Sequence, residues 1–138
     1  MLVTSCHREV RTLISSDSDI LKARQNGREM ALELNFPSVD SILIATAISE
    51  LARNIIQYAG RGEIIITFAV EGEKRGIVIV AHDDGPGILD VKEAMQDGYS
   101  TSGGLGLGLP GVKRLMDEFE IFSEENVGTT VRAKKWLR

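Results

Sequence analysis

The sequence predicts an α+β fold, a two-layer sandwich with helices on one face of a mixed, mainly antiparallel sheet. Three observations lead there. Helical and strand-type hydrophobic periods occupy separate blocks, in the order β-α-α-β-β-α-loop-α-β-β. Two pairs of strand-type runs are joined by short polar turns, as hairpins are. Strands that neighbour one another in sequence, with helices grouped between them, bury their apolar faces as one sheet beneath one helical layer.

Each element has a local reason. Residues 6–14, Cys-His-Arg-Glu-Val-Arg-Thr-Leu-Ile, read as a strand. Ser15 to Asp19 is a polar break rich in N-cap residues. From Ile20 to Leu34 the apolar residues keep helical spacing, with a weak point at Gly27. Asn35-Phe36-Pro37 ends that helix, because the residue before a proline avoids helical backbone. Ser38 then caps a second helix with a long amphipathic period running to about Ala59, stopped by Gly60-Arg61-Gly62. Ile64–Val70 and Ile77–Ala81 are strands joined as a hairpin through residues 71–76. Asp83-Asp84-Gly85-Pro86-Gly87 breaks the second of them. A short helix is expected over 90–97, a glycine-rich loop over 98–109, and a helix from Pro110 to about Glu118. Phe119–Ser123 and Thr129–Leu137 form a last hairpin turned at Asn126-Val127-Gly128.

The chain has 138 residues, 43% of them hydrophobic, which suits a single domain over 1–138 with its own core. Sixteen Lys+Arg against twenty Asp+Glu give a net charge of −4. That balance argues against a nucleic-acid or anionic-membrane partner, while leaving room for one phosphate pocket. Cys6 is the single cysteine, so neither a disulfide framework nor a cysteine zinc site is expected. Two histidines, His7 and His82, do not suffice for a transition-metal centre. His82 reads as a structural strand-end residue and His7 as an exposed strand residue. There is no signal-peptide core and no apolar run of membrane-spanning length, which together predict a cytoplasmic protein.

Four constellations carry chemistry. Glu50 and Asn54 are four apart on the second helix and share a face. A carboxylate beside a carboxamide suits a general base next to a hard-cation ligand, although two solvated surface residues have the same spacing. Asp83 with Gly85 and Gly87 ends an apolar strand in a sharp turn; such a carboxylate can accept from an exocyclic amine, and an ordinary strand-ending turn has the same composition. The loop containing Gly104, Leu105, Gly106, Leu107 and Gly108 offers bare amides to an anion and leads into a helix N-terminus. Its leucines are wrong for a solvated linker. It lacks the Gly-Lys-Ser/Thr of a P-loop and follows polar residues rather than a strand, unlike a dinucleotide-binding turn. Gly128-Thr129 opens the last strand and is uninformative alone.

In this order, Glu50-x-x-x-Asn54, Asp83-x-Gly85-x-Gly87, Gly104-x-Gly106-x-Gly108 and Gly128-Thr129 resemble the GHKL ATPase superfamily over residues 38–138. Ile48 to Asn54, Asp97 to Phe119 and the ending Lys135-Trp136-Leu137-Arg138 are most similar to the stressosome switch serine/threonine kinases of bacteria. The resemblance implies the GHKL (Bergerat) type of α/β sandwich, with ATP and Mg2+ as cofactors. It also implies residue roles. Asp83 would bind the adenine amine with Thr129 assisting. Asn54 would help hold Mg2+. Gly85 would belong to the nucleotide-binding turn after Asp83, and Gly87 and residues 104–108 would line the phosphates. Glu50 would be the general base. Lys113 or Arg114 would add a cation or simply form a solvated helix face. The implied substrates are STAS-domain proteins of a signalling scaffold, after which the released kinase would activate a phosphatase or other output regulator. Two alternatives stay open. One is an anti-sigma-factor kinase that sequesters a sigma factor; its motif Asn is commonly followed by a His that Asn54-Ile55-Ile56-Gln57-Tyr58 lacks. The other is a non-catalytic, nucleotide-gated binding module.

Overall fold

A computed structural model describes residues 8–87, 95 and 108–138. Its elements are β1 (Glu9–Ile14), α1 (Asp17–Glu33), α2 (Ser38–Ala59), β2 (Gly62–Glu71), β3 (Lys74–Asp83), α3 (Gly108–Leu115), β4 (Glu118–Glu124) and β5 (Gly128–Trp136). The helix expected over 90–97, apart from residue 95, the loop over 98–107, and Cys6 and His7 lie outside the described residues.

The five strands form one sheet in the order β1-β2-β3-β5-β4. All four pairings are antiparallel, so the mainly antiparallel expectation holds and no parallel pair occurs among the described strands. β3 and β4 do run in the same direction. β5 returns between them and separates them, because α3 carries the chain to the far edge before the last hairpin forms.

α2 packs over β1, β2, β3 and β5, α1 lies against α2 and β1, and α3 touches α2 and β4. The core-facing residues of the central strands, Ile64, Ile66, Ile77 and Ile79, are fully buried against Ile44, Ile48 and Leu51 of α2. Each such side chain contributes about 1.5–3 kcal/mol of burial. Among the described residues no helix is long and apolar enough to cross a membrane.

Several boundaries move for local physical reasons. α1 starts at Asp17, three residues earlier than its apolar period, because the Asp19 carboxylate accepts from the Ser15 and Ser16 amides at 2.9 and 3.1 Å. Gly27, the weak point of α1, is where the two helices meet: a Cβ there would strike the Ile48 side chain. Close packing offsets a helix-propensity loss of about 1 kcal/mol. The β2–β3 hairpin turns on Gly72-Glu73 alone, so Glu71 pairs with Lys74 and the strands are longer than expected.

α3 begins at Gly108 and stops at Leu115 rather than near Glu118. The reason is strand capture. The Asp117 amide donates to the Lys134 carbonyl at 2.9 Å, and its carboxylate accepts the Trp136 amide at 2.7 Å and Arg138 at 2.6 Å. Trp136 sits between the Lys74 and Lys134 ammonium groups, 4.8 and 4.9 Å from its ring centre, and its indole N–H donates to Glu118 at 2.7 Å.

Candidate nucleotide site

The site is built where the C-terminal half of α2 lies over the ends of β3 and β5. The antiparallel register pairs Asp83 with Thr129, so residues distant in sequence stand side by side. Asn54 approaches the same point from α2. Asn54, Asp83, Thr129 and Leu109 of α3 line one cavity, with Leu51, Ile55, Tyr58, Ala81 and Val131 as its largely apolar wall. Apolar walls with a few converging polar groups are the usual make-up of a small-molecule site.

Asp83 is only 7% exposed, and its Oδ1 accepts the Gly85 amide at 2.9 Å. Thr129 is equally enclosed, with its hydroxyl 2.9 Å from the Ser123 hydroxyl. Two glycines let the turn segments close in around this point. Gly128 has φ +145°, and a Cβ there would collide with the Asp83 carbonyl. Gly87 has φ +82°, and a Cβ would meet the Glu124 carbonyl. The Asn126 amide donates to the Pro86 carbonyl at 2.7 Å and ties the β4–β5 turn to the segment after Asp83.

Glu50 lies one helical turn before Asn54. It is 2% exposed, so the solvated-face alternative does not hold for it. Its carboxylate pairs with the Arg53 guanidinium at 2.8 Å. The Asn54 Nδ2 is fully enclosed and has no hydrogen-bond partner among the described residues. Such an orphan donor costs about 1–3 kcal/mol. A phosphate oxygen would satisfy it, and the carbonyl end of the same carboxamide is a hard oxygen suited to Mg2+. The residues present therefore fit a magnesium nucleotide.

Residues 14–135 match the histidine kinase-like ATPase domain. The chain belongs to that family. The chain is 57% identical over 125 residues to the serine/threonine-protein kinase RsbT of Bacillus subtilis, spanning 91% of this chain and 94% of that protein. It is 35% identical to an anti-sigma F factor of Clostridium novyi over 74% of this chain and 76% of that one. Among solved structures, the RsbU and RsbW domains of Rv1364c from Mycobacterium tuberculosis align at a TM-score of 0.61 and 21% identity, covering 94% of this chain and 32% of that one. The mycobacterial sensor histidine kinase MprB aligns at 0.52 and 16% identity, covering 96% and 98%. At those identities the two structures show the shared fold.

The structure brings Asn54, Asp83 and Thr129 to one cavity; Glu50 shares α2 with Asn54 but is not among the residues that line that cavity. Gly85 lies beside Asp83 through its amide bond. Gly108 belongs to the first turn of α3 rather than to a loop, and Gly104, Leu105, Gly106 and Leu107 lie outside the described residues. Lys113 and Arg114 occupy the exposed face of α3. His82 is the next-to-last residue of β3, 2.8 Å from the Thr130 hydroxyl and 3.1 Å from Asp84. A wider cleft of about 600 Å3 shares Asp83 and Gly85 and is lined by Arg61, Glu63, His82 and Asp84, with charges of both signs. Sequence reasoning missed the Arg53 pair with Glu50 and the role of Leu51 as a wall. The i,i+3 spacing of Glu50 and Arg53 was the available signal for the pair.

Proposed function

We propose that the chain is a single-domain serine/threonine protein kinase that uses Mg-ATP to phosphorylate STAS-domain proteins of a stressosome-like complex and then activates an output regulator. The observation that carries this reading is that Asn54, with its orphaned amide, lines one cavity with Asp83 and Thr129, while the enclosed Glu50 lies one helical turn before Asn54. The 57% identity to a serine/threonine-protein kinase supports it over the anti-sigma alternative, for which the likeness is 35%.

The chain's own residues divide the work. Asp83 accepts the adenine amine, and Thr129 fixes the same edge of the base. Asn54 would help hold Mg2+, and Gly85, Gly87 and residues 104–108 would line the nucleotide. Bound Mg-ATP supplies the γ-phosphoryl group and neutralises charge on it. Glu50 takes the proton of the acceptor hydroxyl as its oxygen bonds to phosphorus, and ADP carries away the bridging oxygen. The reading is of a cytoplasmic protein with neither nucleic acid nor membrane as partner.

The test is transfer of label from γ-labelled ATP to STAS-domain proteins of the same genome. Label should appear on a Ser or Thr of one of them and vanish with Glu50→Ala, while that variant keeps its ATP affinity. Unlabelled acceptors in the presence of bound ATP would favour the nucleotide-gated binding module. Stable capture of a sigma factor would favour the anti-sigma reading.

A further inference from the structure

We propose that Arg53 is a positioning residue for phosphoryl transfer, acting through Glu50; the inference rests on Glu50 being the general base. Arg53 and Glu50 are three apart on α2, with the guanidinium 2.8 Å from the carboxylate. Their surroundings differ sharply: the Glu50 side chain is 3% exposed and the Arg53 side chain 31%.

That asymmetry separates the pair from an ordinary helix-surface ion pair, whose two partners are both solvated and which contributes little. Burying a carboxylate is costly unless a cation and hydrogen bonds compensate it. A buried pair of this kind roughly breaks even against an apolar substitute, so it is a poor stability device. Its physical effect is to hold one carboxylate in one orientation. A general base needs that, because a hydroxyl must meet its oxygen at hydrogen-bond distance. Arg is suited to the task, since its planar fork fixes direction while the ammonium of Lys supplies only charge. The next residue, Asn54, lines the cavity with Asp83 and Thr129, so the pair sits within one helical turn of that cavity.

The experiment compares wild type, Arg53→Met, Arg53→Lys, Glu50→Gln and the double variant Glu50→Gln/Arg53→Met in the γ-labelled transfer assay, with ATP affinity and Tm measured in parallel. Arg53→Met should lower the transfer rate about 10- to 100-fold, as a misplaced group does. Its ATP affinity should stay within about twofold, since the effect is confined to the transfer step. Arg53→Lys should recover part of the rate. The double variant should be no slower than Glu50→Gln alone, because residues acting as a unit are non-additive. An Arg53→Met rate equal to or above wild type, or a further loss in the double variant, overturns the inference while the base reading stands. Wild-type transfer by Glu50→Gln, or no transfer by wild type, removes the base reading and this inference with it.

Discussion

Asp83 illustrates how much a single enclosed group can be worth here. Its carboxylate is 7% exposed, anchored by the Gly85 amide, and set against Thr129 by the β3–β5 register. A hydrogen bond to a charged acceptor contributes about 1.5–3 kcal/mol. Asp83→Asn keeps the shape, removes the charge and presents a donor where the adenine amine needs an acceptor. Titration calorimetry should show ATP binding weaker by about 10- to 100-fold, at 1.4 kcal/mol per decade. Equal affinities for the two proteins would rule out the adenine assignment. Glu50, also enclosed, carries the opposite expectation: its loss should abolish transfer and spare binding, because its proposed interaction arises only in the transition state.

The last hairpin is held by Asp117, which lies between α3 and β4 and binds the far end of β5. Burial pushes its carboxyl up, but the Trp136 amide and the Arg138 guanidinium outweigh that and hold it below the usual carboxylate range. A carboxyl whose folded value is lowered binds fewer protons in the native state than in the unfolded one. Its stabilisation is therefore present above the unfolded value of about 3.9 and is lost as pH falls through the folded one. Urea midpoints measured between pH 3 and 6 should rise more steeply for wild type than for Asp117→Asn. Identical slopes would show that Asp117 does not contribute. The same contacts explain why α3 is short, since Asp117 and Glu118 are drawn into the sheet.

For the molecule as a whole, the proposed nucleotide site joins α2, β3, β5 and α3, so ligand binding there should stabilise the native state rather than one element. Any ligand that binds only the native state adds RT ln(1 + [L]/Kd), about 2.7 kcal/mol at a hundredfold excess over Kd. For a chain of this size that corresponds to a Tm rise of roughly 10 °C. Scanning calorimetry with Mg-ATP should show such a rise in wild type, and a much smaller one in Asp83→Asn at the same concentration. The same Tm rise in both proteins would place the bound nucleotide away from Asp83.

What was legible in advance was local. Pro37 and Gly60 bracket α2: the end near Ala59 is the one read from the sequence, while Ser38, read there as the cap, is already the first helical residue and Pro37 takes the cap position. The i,i+4 spacing of Glu50 and Asn54 and the strand break after Asp83 likewise follow from residues within a turn of one another. Burial did not follow. The same spacing describes a solvated face, and the sheet and the α1 contact at Gly27 were needed to bury that stretch of α2. Nor did the meeting of Asp83 with Thr129 follow, because register between strands far apart in the chain is set by the whole sheet. Caps, turns and helical faces are short-range chemistry, written within a few residues. Enclosure, ion pairing and the assembly of a cavity come from surfaces that meet only once the chain has closed on itself.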